Sequence, residues 1–175
     1  MSLQPHRPFG EHRPFAEPMP LGRARLLPWA TVMGGSLVTI LPIGAPVALL
    51  PPFGLLVLLA WRLLAPLALR LWAPALLGFF DDLVSGQPVG SSTLLWPAAY
   101  FLVDALEARS GVRDFWQSWV IAAVAIALVL FLGRLIASPT DAWVGQALAL
   151  QIAISIMVFP LVARFVAWLD LRRQR

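Results

Sequence analysis

From position 26 onward the chain alternates long apolar runs with short breaks rich in proline, glycine or charge. The runs at 26–42, 53–69, 91–107, 115–136 and 143–168 approach the roughly twenty apolar residues that carry a helix across about 30 Å of hydrocarbon. A shorter run at 72–84 follows Pro66 and Arg70, and it reads either as the end of one long helix or as a span of its own. The breaks have turn chemistry. Residues 42–52 include Gly44 and Pro46 and no charge, and Ser138-Pro139-Thr140-Asp141 offers Asp141 as a helix cap. Small residues recur every four positions at Thr31, Gly35 and Thr39 in the first run and at Gly145, Ala149 and Ala153 in the last. Such stripes predict faces where another helix approaches closely. Gln151 is expected to hydrogen-bond between helices and Pro160 to kink the last one.

Composition sets the solvent. Hydrophobic residues make up 59% of the chain and charged ones 13%, about half the charged share of an average soluble domain, roughly 25%. The expected fold is an all-α membrane protein, a polytopic bundle of transmembrane helices, with 175 residues leaving almost nothing for a soluble domain. All of the positive charge outside the histidines is arginine, and its placement decides the segmentation. With six spans and a cytoplasmic start, Arg7, Arg13, Arg23, Arg25, Arg70, Arg109, Arg113, Arg172, Arg173 and Arg175 fall inside and Arg134 near the outer face. Fusing 53–69 with 72–84 puts Arg109, Arg113 and the C-terminal arginines outside, against the positive-inside tendency. The prediction is therefore six spans with both termini cytoplasmic. Most of the eight tryptophans fall near proposed span ends, as an interfacial belt requires.

Residues 1–25 form a separate unit, a disordered cytoplasmic Pro-rich arm ahead of a six-span domain at 26–175. The arm contains five prolines between Pro5 and Pro20 and a tandem repeat, His6-Arg7-Pro8-Phe9-Gly10-Glu11 followed by His12-Arg13-Pro14-Phe15-Ala16-Glu17. The repeat is read as a duplicated piece of solvated tail, with a docking motif presented twice as the alternative.

Candidate chemistry concentrates at positions 78–90, Gly-Phe-Phe-Asp-Asp-Leu-Val-Ser-Gly-Gln-Pro-Val-Gly. Carboxylates amid lipid-compatible residues are functional candidates because charge there is costly. Ser85-Gly86 can end one helix, Pro88 forbids its continuation, and Gly90-Ser91-Ser92 can start the next. Asp81 and Asp82 thus stand at the entrance of a tight turn, facing the periplasm under the six-span topology. Further along, Tyr100 and Asp104 share a helix face. Asp104 is either a buried polar contact or, with Glu107 and Arg109 after it, an inner-interface residue.

Enzyme readings find little support. The chain has no cysteine, hence no thiolate catalysis and no thiolate metal site. It contains no His-Glu-x-x-His, Gly-x-Ser-x-Gly or phosphate-loop pattern. Consecutive aspartates on one helix point about 100° apart and so do not form an aspartyl-protease pair. No cofactor is expected.

The spacing of Gly78, Asp82-Leu83, Ser85-Gly86 and Gly90, with Leu95-Trp96 and Asp114-Phe115-Trp116-Gln117 beyond it, resembles MreD, the multi-span bacterial rod-shape-determining family, from about Leu26 to the C-terminus. The resemblance implies a non-catalytic inner-membrane scaffold of the lateral cell-wall elongation machinery. Its partners would be single-span MreC, the filament protein MreB, the glycan polymerase RodA and RodA's partner transpeptidase. Gly78, Asp82, Leu83, Ser85, Gly86 and Gly90 become the motif residues, and Asp82 is favoured over Asp81 because the pattern aligns on it. Asp81, Tyr100, Asp104 and Gln151 are secondary candidates. The family is similar in size and span number to the substrate-binding membrane subunits of vitamin importers, a likeness that transfers no ligand. A small-molecule-binding or transporter-type subunit is the alternative function, and the scarcity of polar groups to line a pocket favours the scaffold.

Overall fold

The computed structural model describes residues 21–39, 50–86, 88–109, 114–137 and 142–173. These residues form six α-helices and no strand: α1 Leu21–Val38, α2 Phe53–Leu64, α3 Ala73–Ser85, α4 Ser91–Arg109, α5 Phe115–Ala137 and α6 Ala142–Arg173. The repeated arm sequence, the turn at 138–141 and most of the turn at 42–52 lie outside the described residues.

The fourth and fifth helices lie close to their apolar runs, and the others depart from them for local reasons. Helix α2 stops at Leu64, five residues short of its run, because Pro66 denies Ala65 the helical region. Ala65 is extended, at φ −139° and ψ 75°. Helix α3 restarts at Ala73 with Pro74 in its first turn, where a missing N–H costs nothing. The run at 53–84 is thereby two helices, not one. Helix α1 begins at Leu21, inside the stretch assigned from sequence to the arm, and α6 extends to Arg173.

Successive helices reverse direction. Trp61 at the end of α2 donates its indole N–H to Thr31 of α1 at 2.9 Å, while the start of α2 lies against Gly35. A Cβ on Gly35 would stand 3.0 Å from the backbone of Phe53 and Gly54, so the Thr31–Gly35 stripe forms the close crossing predicted from its spacing. Helix α3 runs parallel to α1, with Trp29 and Trp72 rings 5.4 Å apart at one end. Helix α4 returns along α3, and α6 flanks α2 from Gln151, whose Nε2 donates to the Leu50 carbonyl at 2.8 Å, to Arg173, over the Trp61 ring.

Helix α2 is the centre of the bundle. Every residue from Gly54 to Arg62 is buried, as a helix apolar nearly all round must be. Trp61 and Trp96 are fully buried too, so both belong to the core, and Trp96, near the start of its run, does not join an interfacial belt. Trp72, Trp116 and Trp168 are exposed.

The stripe on α6 behaves differently from that on α1. Gly145, Ala149 and Ala153 all face outward, and a Cβ on Gly145 would meet nothing within 4 Å. Helix α6 packs instead through Ser155, Phe159 and Val166. Spacing announced a smooth face, and the larger apolar side chains on another face won the packing. Pro160 lies inside α6, and its ring removes the N–H that would bond the carbonyl of Ile156. Trp119 of α5 fills that vacancy, donating its indole N–H to the Ile156 carbonyl at 3.2 Å.

Two helices, α5 and α6, contain stretches long and apolar enough to cross a membrane, with only 28% and 17% of those stretches buried by protein. Their outer faces expose Val120, Val124, Leu128, Phe131 and Leu135 on α5 and Met157, Leu161 and Phe165 on α6. Continuous apolar surface of this extent belongs against lipid or another protein.

Candidate functional site at the turn between α3 and α4

The turn predicted at 78–90 is built around one carboxylate. Asp82, on the last turn of α3, is 1% exposed. One of its oxygens accepts from Ser92 N at 2.8 Å and Ser91 Oγ at 3.0 Å. The other accepts from Gly90 N at 2.8 Å, Thr93 N at 3.1 Å and Thr93 Oγ1 at 2.8 Å. The first N–H groups of a helix have no partner within it, and in lipid no water substitutes for one. Helix α4 is therefore capped from outside itself, by a side chain of the helix before it. The negative charge also lies against the positive end of the α4 dipole. The Ser91 hydroxyl shares its single proton between Asp82 and the Pro88 carbonyl.

The other motif residues, Leu83 apart, fit this geometry one by one. Gly78 lies where the α3 and α4 backbones touch, and a Cβ there would overlap the carbonyl of Ser92. Gly86 ends α3 in the left-handed conformation at φ 67°, and Gly90 adopts φ 106°, values that a side chain makes strained. Ser85 donates to the carbonyl of Asp81 at 2.7 Å. Leu83 takes no part in the turn. It is 60% exposed and continues an outward ridge with Leu76 and Phe79, beyond which Val89 is also exposed.

Asp81 points elsewhere, as the 100° step between neighbours on a helix requires. It is buried, and it accepts from Ser92 Oγ at 3.2 Å. Across from it, the wholly buried Ser36 of α1 turns its hydroxyl toward the same carboxylate but falls short of full hydrogen-bond geometry. The two acids thus have different surroundings: Asp82 bonds only the start of α4, and Asp81 lies between Ser92 of α4 and Ser36 of α1.

A second polar cluster lies at the opposite end of the bundle. Arg62 of α2, 8% exposed, pairs with Asp104 through Nη2 and with Glu107 through Nη1 at 3.3 Å. Its guanidinium lies 5.2 Å from the centre of the Tyr100 ring, and the Tyr100 hydroxyl donates to the Leu69 carbonyl at 3.3 Å. Tyr100 and Asp104 do share a face, and what they face is Arg62, which the sequence reading passed over. The available signal was a single arginine inside a strongly apolar run, which demands a partner. Gln151 bonds the segment leading into α2 rather than another helix. Among the described residues no group of three His, Cys, Asp or Glu side chains could hold a metal ion.

Residues 26–168 match the family of the rod shape-determining protein MreD. The match covers most of the chain, which therefore belongs to that family and is a rod-shape-determining membrane protein. No curated protein and no solved structure matches it.

Proposed function

We propose that this chain is a non-catalytic scaffold of the cell-wall elongation machinery in the bacterial inner membrane. It crosses the membrane six times with both termini in the cytoplasm, and it holds MreC, and through it MreB, RodA and the partner transpeptidase, in one assembly. The observation that carries this reading is the division of labour within the motif. Gly78, Asp82, Ser85, Gly86 and Gly90 are all occupied in setting the turn, and Leu83 with its ridge is left free on a rigid base. A surface held this firmly suits recognition of another protein. Catalysis would need acids free to exchange protons, and Asp82 is saturated with donors.

The topology is supported by charge. Alternating helix directions group Arg62, Arg70, Arg109, Arg164, Arg172 and Arg173 toward one end and leave Arg134 toward the other, the asymmetry of a positive-inside protein. Helices α2 and α3 have 12 and 13 residues, about 18 and 20 Å at 1.5 Å per residue, short of the bilayer core. A span shorter than the hydrocarbon is accommodated by local thinning of the bilayer, and α2 is shielded from lipid by the helices around it.

Replacing Leu83 and Phe79 by serine tests the partner surface. Both side chains point outward, so membrane levels of the protein are expected to stay near normal while recovery of MreC on co-purification falls several-fold. Undiminished recovery of the elongation proteins would remove this ridge from the interface.

A further inference from the structure

The uncharged part of α6 from Ala142 to Ala163 is 22 residues long, about 33 Å at 1.5 Å per residue, close to the thickness of bilayer hydrocarbon. Arg164 follows at once, so it marks the level of the head groups. The remaining turns to Arg173 continue into that zone. Their outer face is specific in kind. Arg164, Trp168 and Arg172 recur every four residues, all exposed, with the Arg172 guanidinium 3.9 Å from the centre of the Trp168 ring. Phe165 stacks beside Trp168 at 6.2 Å, and Leu161 is exposed one turn below Phe165. On the opposite face Asp170 pairs with Arg173 at 3.0 Å. Among the described residues, Arg164 and Arg172 form no ion pair with a carboxylate.

We propose that this face binds an anionic phospholipid: Arg164 and Arg172 hold the phosphate-bearing head group, Trp168 sits at the interface between them, and Phe165 and Leu161 line the start of an acyl chain. The chemistry of each level matches the lipid's own. Two guanidiniums meet negative charge, an amphipathic indole takes the boundary, and apolar side chains lie on the hydrocarbon side. The carbonyl end of α6 repels a phosphate at its last turn, so Arg164, more than two turns earlier, contributes more than Arg172. The inference requires α6 to be embedded in the membrane and is independent of the scaffold role.

The test is native mass spectrometry of the full chain in mild detergent, titrated with phosphatidylglycerol and, separately, phosphatidylcholine. Wild-type protein is expected to retain phosphatidylglycerol preferentially. Arg164→Gln with Arg172→Gln should reduce that retention about thirtyfold, the effect of two basic residues at an anionic surface. Arg164→Gln alone should cost more than Arg172→Gln alone, and Arg134→Gln, near the other end of the bundle, should change nothing. Equal retention of the two lipids by wild-type protein would overturn the proposal without recourse to any variant. So would unchanged phosphatidylglycerol binding by the double variant.

Discussion

Asp82 accepts five hydrogen bonds, three of them from backbone N–H groups, and that count governs what its replacement does. Asp82→Ala strands those donors and is expected to cost about 2–3 kcal/mol, the scale of a lost cap plus buried unsatisfied groups. Asp82→Asn keeps one acceptor oxygen and should cost less. Asp81→Ala, which gives up the Ser92 bond at 3.2 Å, should be milder than Asp82→Ala. Thermal unfolding of the purified protein, with rod shape in complemented cells, checks the order; a harmless Asp82→Ala would reduce the carboxylate to a solubilising group. The turn around Asp82 was legible because glycines and a serine at fixed offsets spell it out. Its bonding partners were not, since which carboxylate reaches α4 depends on the rotation of α3, and neighbouring residues on a helix look alike in sequence. Arg62 was missed for another reason. Counting arginines for orientation treats each as a surface charge, whereas one inside an apolar run demands a partner; which partner it takes is revealed only by the packing of α2 against α4.

Among the elements, α2 joins two kinds of interaction, a backbone-close crossing with α1 and an ionic tie to α4. Removing one side of a buried pair leaves an uncompensated charge, at about 3–5 kcal/mol. Asp104→Ala with Glu107→Ala is therefore expected to lower stability by about that much, while the further change Arg62→Met should recover most of the loss. Detergent-stability curves for the double and triple variants give the comparison, and a triple variant as weak as the double one would show that the guanidinium does more than balance charge. Helix number and order were readable from the apolar runs, and Pro66 marked the break between α2 and α3. Which faces pack was not readable from small-residue spacing. Thr31 and Gly35 meet α2, whereas Gly145, Ala149 and Ala153 are exposed. A smooth face permits close approach without compelling it, and the core is claimed by whichever face buries more apolar area. Trp96 teaches the same point, because an indole near the end of a helix serves lipid boundary and core equally well.

For the whole molecule, six alternating helices predict that reporter fusions after Arg25, after Arg113 and at the C-terminus all report cytoplasm. A periplasmic C-terminus would require one of the two short helices, α2 or α3, to fail to cross. The ionic tie between α2 and α4 has a consequence in time. Arg62 leaves the ribosome roughly forty residues before Asp104, an interval of about 2–8 s at ordinary rates of synthesis. For that interval the buried charge near the end of α2 has no carboxylate to meet, so α2 is expected to wait at the membrane surface or beside the insertion machinery until α4 arrives. Nascent chains arrested between residues 90 and 100 should accordingly label readily with a water-soluble probe at a cysteine in place of Ala60, and chains arrested well beyond Glu107 should not. The most enclosed helix of the finished protein would then be seated only after two later helices had been made.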